Sequence, residues 1–251
     1  MITWLRSALF NLLFYLITGL LVVGAMPLLL LPRAVQRAVV RGWAGLVIFL
    51  ARLVCGIRLR VTGAEHLPRK GAALIAAKHQ SALDTIVWLR LVPDAAYVLK
   101  RELLWIPVWG WHARKAGMIA VDRSAGATAM RHLIRAGKEA VAAGRQIVIF
   151  PEGTRVAPGG QVPYQPGVVA LAGTLGLPVI PVATDSGRCW GRRAFRKQPG
   201  VVTVAVLPPL PAKLPRGALL PRLEAAIEAE SARLLAETPV ENSVDRFSGR
   251  L

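Results

Sequence analysis

Acidic residues are scarce in this chain: 14 Asp and Glu stand against 32 Lys and Arg, a formal net charge of +18. Such a surplus does not specify a fold, but it calls for an anionic partner: a nucleic acid, an acidic membrane surface or an acidic carrier protein. Cysteine is scarcer still. Cys55 and Cys189 are the whole supply, too few for a disulfide framework and without metal-ligand spacing. A reducing compartment is the simplest setting. Zinc-finger spacing, a basic region followed by heptads and an aromatic-glycine RNA motif are all missing, so no nucleic-acid partner is expected. No Gly-x-Ser-x-Gly elbow occurs, which argues against a serine hydrolase. No internal repeat is visible either.

What the chain has in abundance is apolar surface. Of its 251 residues 54% are apolar, against about 45–50% in ordinary soluble domains. The length allows one large domain, or one domain with an appendage. Basic and apolar together favour a membrane surface over a nucleic acid.

The apolar excess is concentrated at the start. Ser7 to Pro32 carries no charge, and Ala8–Leu31 is long enough to span a bilayer, which takes about 20 apolar residues. Gly19, Gly24 and Pro27 weaken its second half. A cleaved signal peptide ending near Val23-Gly24-Ala25 is the competing reading. A second apolar segment, Trp43–Ile57, is short for a span. Two full crossings would put Arg33, Arg37 and Arg41 on the side away from the main domain, against the positive-inside tendency. Two arrangements remain: a single span over Ala8–Leu31, or a hairpin of both segments dipping into one leaflet.

Beyond Ile57 short apolar runs alternate with helical stretches. Ile57–Val61, Ala72–Ala77, Ala95–Leu99, Met118–Val121, Gln146–Phe150, Val179–Ala183 and Val201–Val206 read as strands. Ala125–Ala143 reads as a helix with Ser124 as N-cap and Gly144 as stop; Pro166–Leu175 and Pro221–Ala236 are helical too. The expected fold is α/β, a central mostly parallel or mixed sheet flanked by helices, with an N-terminal hydrophobic helical membrane anchor. The domains are then 1–56 (anchor), 57–236 (α/β) and 237–251 (a loose polar tail).

Three polar groups fall at the carboxyl ends of predicted strands, where α/β folds place ligands. His79 follows the strand Ala72–Ala77, and a helix is expected from about Ser81, with Asp84 in its first turn. A carboxylate there can accept the imidazole N–H and stabilise the imidazolium. The same Ser81–Asp84 spacing also fits a capping box, so capping alone and capping with catalysis both stand. Phe150-Pro-Glu-Gly-Thr-Arg155 ends another strand; its glycine exposes backbone N–H groups and Arg155 offers a phosphate-binding fork. An ordinary turn with a solvated Glu152–Arg155 pair is the plain alternative. Arg123 ends a third strand, with a surface pair to Asp122 as its plain alternative. If the strands share a sheet and a direction, a base and two guanidiniums meet in one cleft.

The set resembles the glycerolipid acyltransferase family, in particular its bacterial 1-acylglycerol-3-phosphate acyltransferases. Four blocks carry the resemblance in the family's order over roughly Gly56 to Val206: His79–Asp84, Gly117–Arg123, Phe150–Arg155 and Val179–Val182. Two positions depart from the family's usual residues: Lys78, where Asn is frequent, and Gln165, where a basic residue is frequent. The resemblance implies acyl transfer from a thioester, acyl-CoA or acyl carrier protein (ACP), to the free sn-2 hydroxyl of lysophosphatidic acid, giving phosphatidic acid. It implies His79 and Asp84 as the catalytic dyad, and Arg123, Glu152, Gly153, Thr154 and Arg155 at the acceptor's phosphate. It implies the inner membrane, with the domain on the cytoplasmic face, and no bound cofactor or metal beyond the thioester co-substrate.

Direct attack within a ternary complex is expected, since Ser81 serves better as a cap and neither cysteine lies near His79. Candidate oxyanion donors are the N–H groups that open the helix after Gln80. Arg188–Lys197, with five cations, Trp190 and Phe195, fits anionic lipid, an acidic carrier protein or plain solvent. His66, His112 and His132 are expected to be structural or exposed. Rival functions are a lipid hydrolase, a non-enzymatic basic membrane-binding protein, and an acyltransferase for another lysolipid such as a lyso-aminolipid.

Overall fold

A computed structural model describes residues 1–212, 214–215 and 217–237. The polar tail expected over 237–251 therefore lies outside the described residues, apart from Glu237.

Each of the seven apolar runs forms a strand: β1 (Ile57–Thr62), β2 (Ala73–Ala77), β3 (Ala95–Lys100), β4 (Ile119–Val121), β5 (Gln146–Ile149), β6 (Val179–Thr184) and β7 (Gly200–Val206). They make one sheet in the order β1-β7-β6-β2-β5-β3-β4. All pairings are parallel except β6 with β7. Five strands, β6 through β4, thus point their carboxyl ends to one edge, and β1 and β7 run the other way.

The helices are α1 (Ile2–Gly24), α2 (Arg33–Cys55), α3 (Leu83–Leu91), α4 (Trp109–Lys115), α5 (Gly126–Ala142), α6 (Gly167–Leu175) and α7 (Leu219–Ala236). Strand periodicity divides the core between two faces. Ile75 and Ala77 of β2 pack with Ala44 and Val47 of α2 and Ile86 and Trp88 of α3. Leu74 and Ala76 pack on the other side, with Leu133 of α5, Leu171 of α6 and Leu223 of α7. Coverage of both faces is why the central strands read as continuous apolar runs rather than alternating ones.

Helix starts depart from the sequence reading. Ser124 does not cap α5, whose N-cap position is Ala125 with no side-chain bond. Ser124 belongs to a short 3-10 turn, where both its N–H and its hydroxyl bond Asp122. Gly144 does follow the helix, at φ 66°.

The N-terminal region is a hairpin. The single helix over Ala8–Leu31 does not form. Instead α1 ends at Gly24, and a 3-10 turn over Met26–Leu30, with Pro27 near its start, leads to Pro32 and α2. The second segment begins at Arg33, ten residues ahead of Trp43, because the basic residues 33, 37 and 41 belong to the helix. Arg33 and Arg37 donate to Asp94 at 2.5 and 2.7 Å. Arg41 donates to the carbonyls of Leu89 and Val92 at the end of α3, where a cation suits the helix dipole. Ala44, Val47, Ala51 and Cys55 continue the docking to the end of α2. The cations expected to mark a membrane side are spent on the domain. α1 is held to α2 by Trp43 Nε1 donating to Thr18 Oγ1 and to the β6–β7 connection by Phe10 edge-on to Trp190. Leu5, Leu9, Leu12, Leu16 and Leu20 face outward in a stripe at helical spacing. These two helices are long and apolar enough for a membrane anchor.

Candidate active site

The convergence expected from sequence is realised. β2, β5 and β4 run parallel in one sheet, so the segments after them meet at one edge.

Beyond β2, the Lys78 N–H donates to the Val182 carbonyl and the ladder then ends. The backbone of His79 is gripped twice by the 150–156 segment: its N–H donates to Glu152 Oε1 at 3.2 Å and its carbonyl accepts from the Val156 N–H at 2.8 Å. Its ring stacks on Phe150, with centroids 4.1 Å apart. Asp84 Oδ2 accepts the N–H groups of Gln80 and Ser81 at 2.7 Å each and lies 3.3 Å from His79 Nδ1. Ser81 Oγ in turn accepts the Leu83 N–H. The helix opens later than the capping box expected, with Ala82 at the N-cap and no side-chain cap, so one carboxylate fastens the loop ahead of α3 and meets the histidine. It settles the ring with Nδ1 toward Asp84, and Nε2 is the nitrogen that can serve a substrate. Among the expected oxyanion donors, the N–H groups of Ser81, Leu83 and Thr85 are committed within the loop and helix, whereas those of Ala82 and Asp84 make no such bond among the described residues.

His79 lies in the wall of a cavity of about 840 Å³. Arg123, Gly153, Thr154 and Arg155 line its polar end, and Leu21, Val22, Leu28 and Trp43 of the hairpin line its apolar end. Neither plain alternative for the arginines holds. Asp122 pairs with Arg101 at 2.9 Å rather than with Arg123, and Glu152 is turned away from Arg155. The Arg123 guanidinium lies across the loop and donates to the Gly153 carbonyl. Gly153 has φ 69°, a left-handed conformation that favours glycine, and a Cβ there would push on the Arg123 guanidinium at 2.9 Å.

Glu152 does not line this cavity. Its carboxylate points into a closed cluster behind the loop. Lys78, 2% exposed, places Nζ 2.5 Å from Glu228 Oε1 of α7 and 3.5 Å from Glu152 Oε1. The Tyr164 hydroxyl donates to Glu228 Oε1 at 2.8 Å. Burial raises the Glu152 pKa to about 7 despite the nearby ammonium. Burial, with Glu152 and Glu228 nearby, also pushes the Tyr164 phenol up. Sequence reasoning missed Glu228 and Tyr164; Lys78, as a departure from the family's usual residue, was the available signal.

His112 was missed as well. On α4 it lines the cavity, with Nε2 3.0 Å from the Val22 carbonyl and Nδ1 2.9 Å from Gln36 Nε2. Its surroundings are thus contributed by the hairpin, 76 and 90 residues away in sequence. His66 and His132 lie outside the cavity wall.

The family model described as Acyltransferase matches residues 58–185. The chain is 36% identical over 213 residues to a 1-acyl-sn-glycerol-3-phosphate acyltransferase of Pseudomonas aeruginosa, covering 84% of this chain and 82% of that protein. It is 32% identical over 168 residues to the Mus musculus 1-acyl-sn-glycerol-3-phosphate acyltransferase alpha, covering 66% of this chain and 59% of the mouse protein. In fold it is similar to the crystal structure of the 1-acyl-sn-glycerophosphate (LPA) acyltransferase PlsC of Thermotoga maritima, with a TM-score of 0.75 at 22% identity, over 94% of this chain and 99% of that one. By the matched domain and by the extent of the Pseudomonas alignment, the chain belongs to the acyltransferase family that includes the 1-acyl-sn-glycerol-3-phosphate acyltransferases, and it is an O-acyltransferase.

Proposed function

We propose that this protein transfers a fatty acyl chain from acyl-CoA or acyl-ACP to the sn-2 hydroxyl of lysophosphatidic acid, giving phosphatidic acid. The observation that carries the reading is a single cavity with a histidine in its wall, guanidiniums at one end and an apolar interior at the other. That is the polarity of a lysophospholipid meeting an acyl chain.

His79 Nε2 takes the proton of the acceptor hydroxyl as its oxygen attacks the thioester carbon. Asp84, 3.3 Å from Nδ1, orients the ring and stabilises the imidazolium. The C–S bond then breaks, and the leaving thiolate takes up the proton that His79 carried. Arg123 and Arg155 hold the acceptor's phosphate as forked donors, with Gly153 and Thr154 shaping the loop between them. Glu152 acts on the acceptor only through its grip on the His79 N–H. The apolar end of the cavity receives the acyl chain. The outward stripe of α1, with exposed Trp105 and Trp111 beside it in composition, rests in the cytoplasmic face of the inner membrane, where acceptor and product reside.

A second acceptor is favoured by one observation: Gln165, neutral where the family is often basic, lines the cavity. A lysolipid with a less anionic head group, such as a lyso-aminolipid, suits that position. The deciding experiment uses detergent-solubilised full-length protein with a panel of lysolipids and both thioester types. Phosphatidic acid as main product supports the first reading. A product from the aminolipid alone moves the protein to the second. If His79→Ala retains substantial turnover, the dyad assignment fails and the base lies elsewhere in the site.

A further inference from the structure

The basic connection between β6 and β7 divides into two parts. Its later half is bound to α1: the Asn11 side chain donates to the Phe195 carbonyl at 3.0 Å, the Lys197 N–H donates to Ser7 Oγ at 2.9 Å, and Phe195 stacks on Trp4. Its earlier end is bound to the catalytic loop, where the Gly187 N–H donates to Gln80 Oε1 at 3.0 Å. Between these anchors Arg192 and Arg193 stand exposed at the rim of the cavity that contains His79. Arg192 Nη1 reaches the Arg155 carbonyl at 3.3 Å. Arg193 holds φ at 54°, a left-handed conformation that side-chain-bearing residues adopt at a cost. Both residues border the same opening.

These two charges exceed what the acceptor needs. One phosphate is served by Arg123 and Arg155. Among the described residues no carboxylate pairs with Arg123, Arg155, Arg192 or Arg193. Four guanidiniums around one opening repel one another until anions arrive, so the rim is charged for more than one anionic group. Topology separates the two pairs. β2, which carries His79, lies between β6 on one side and β5, β3 and β4 on the other. Arg123 follows β4, and Arg192 and Arg193 follow β6. Arg192 adjoins the Arg155 backbone, so the rim forms one continuous cationic border with room for two anionic groups beside one imidazole.

We infer that Arg192 and Arg193 form the donor's anion site, binding the phosphate that a phosphopantetheine thioester carries at the end of its arm. This rests on the acyl-transfer reading above and deepens it. A phosphate is common to coenzyme A thioesters and to the phosphodiester of an acyl carrier protein, and two guanidiniums at the opening suit it.

The test compares unsubstituted protein with Arg192→Gln/Arg193→Gln, using three palmitoyl donors at fixed lysophosphatidic acid: the coenzyme A thioester, the carrier-protein thioester and the N-acetylcysteamine thioester, which has no phosphate. The expected result is that the preference for phosphate-bearing donors, the ratio of their kcat/KM to that of the N-acetylcysteamine thioester, falls about tenfold or more. A paired Lys substitution should restore part of it. Loss with both phosphate donors supports the shared phosphodiester. Loss with coenzyme A alone supports the site and assigns it to the free thioester's own phosphates. An equal loss on all three donors, or a rise in the lysolipid KM in place of the donor effect, overturns the inference. So does a change confined to co-sedimentation with phosphatidylglycerol vesicles. If the unsubstituted protein acylates no lysolipid from any donor, the acyl-transfer reading has failed instead. If it does so and the ratios of the two proteins match, only the donor site has failed.

Discussion

Lys78 and His79 are neighbours in sequence and belong to opposite regions of the molecule. His79 opens on the cavity; Lys78 turns behind the loop into a closed cluster with Glu152, Glu228 and Tyr164. The open side has few internal bonds: one long contact to Asp84 and a stacked ring. The closed side is dense, with an ammonium within 3.5 Å of two carboxylates. The difference shows where a site of this kind obtains its rigidity. A base that must meet substrate cannot be tied up by protein partners, so its position is fixed through its backbone. The backbone of His79 is fixed by Glu152 and Val156, and Glu152 by the cluster beneath. Chemistry and support are one residue apart because a β-strand end sends successive side chains to opposite faces.

Substitutions can break that comparison, and the largest effect belongs to the open side. His79→Ala should lower kcat/KM about 10²–10⁴-fold while the denaturant midpoint barely moves. A large fall in the midpoint would mean that the open side is structural after all. Lys78→Met should do the reverse in kind. A buried carboxylate, Glu152, and a partly buried one, Glu228, lose their cation, and stability should fall by about 3–5 kcal/mol, read as a shift in denaturant midpoint in detergent. An unshifted midpoint would deny the closed cluster its supporting role.

Glu152 sharpens the contrast through pH. Its carboxyl is raised from an ordinary value of 4.5 to about 7. The folded protein therefore holds that proton more tightly than the unfolded chain does. The resulting stability is fully present below pH 4.5 and is lost as pH rises through about 7. Glu152→Gln keeps an acceptor for the His79 N–H and removes the titration. Denaturant midpoints between pH 5.5 and 7 should then flatten by about 2 kcal/mol or less relative to the unsubstituted protein. An unchanged slope would place the titrating group elsewhere. The smallest effect is expected back at the cavity. Arg155→Ala should raise the lysophosphatidic acid KM about tenfold, near 1.4 kcal/mol, in steady-state kinetics with varied acceptor. An unmoved acceptor KM would take the phosphate away from this end.

Much of the fold could be read from the chain before any coordinates. Buried parallel strands are written as short apolar runs, and each of those runs is a strand. His79, Arg123 and Arg155 could be placed at one edge because each follows such a run. Other features had no local trace. Glu228 meets Lys78 across 150 residues of sequence, and nothing in the α7 pattern marks that one glutamate among its acidic neighbours. Arg33, Arg37 and Arg41 looked like flanks of a membrane segment, yet they hold α2 to Asp94 and to the end of α3. A basic residue has the same letter whether it meets lipid, water or a carboxylate. Of the N–H groups after Gln80 that could meet an oxyanion, those of Ser81, Leu83 and Thr85 are taken by Asp84, Ser81 and Ala82, a matter of loop geometry.

The sequence by itself determined the strand and helix alternation, the apolar N-terminal pair and the residue types at the strand ends, because periodicity and composition act over neighbours a few positions apart. Tertiary structure alone decided which way Lys78, Glu152 and the hairpin arginines turn, and that the hairpin closes the cavity over His79. Those outcomes depend on burial and on partners distant in the chain, which no local pattern encodes.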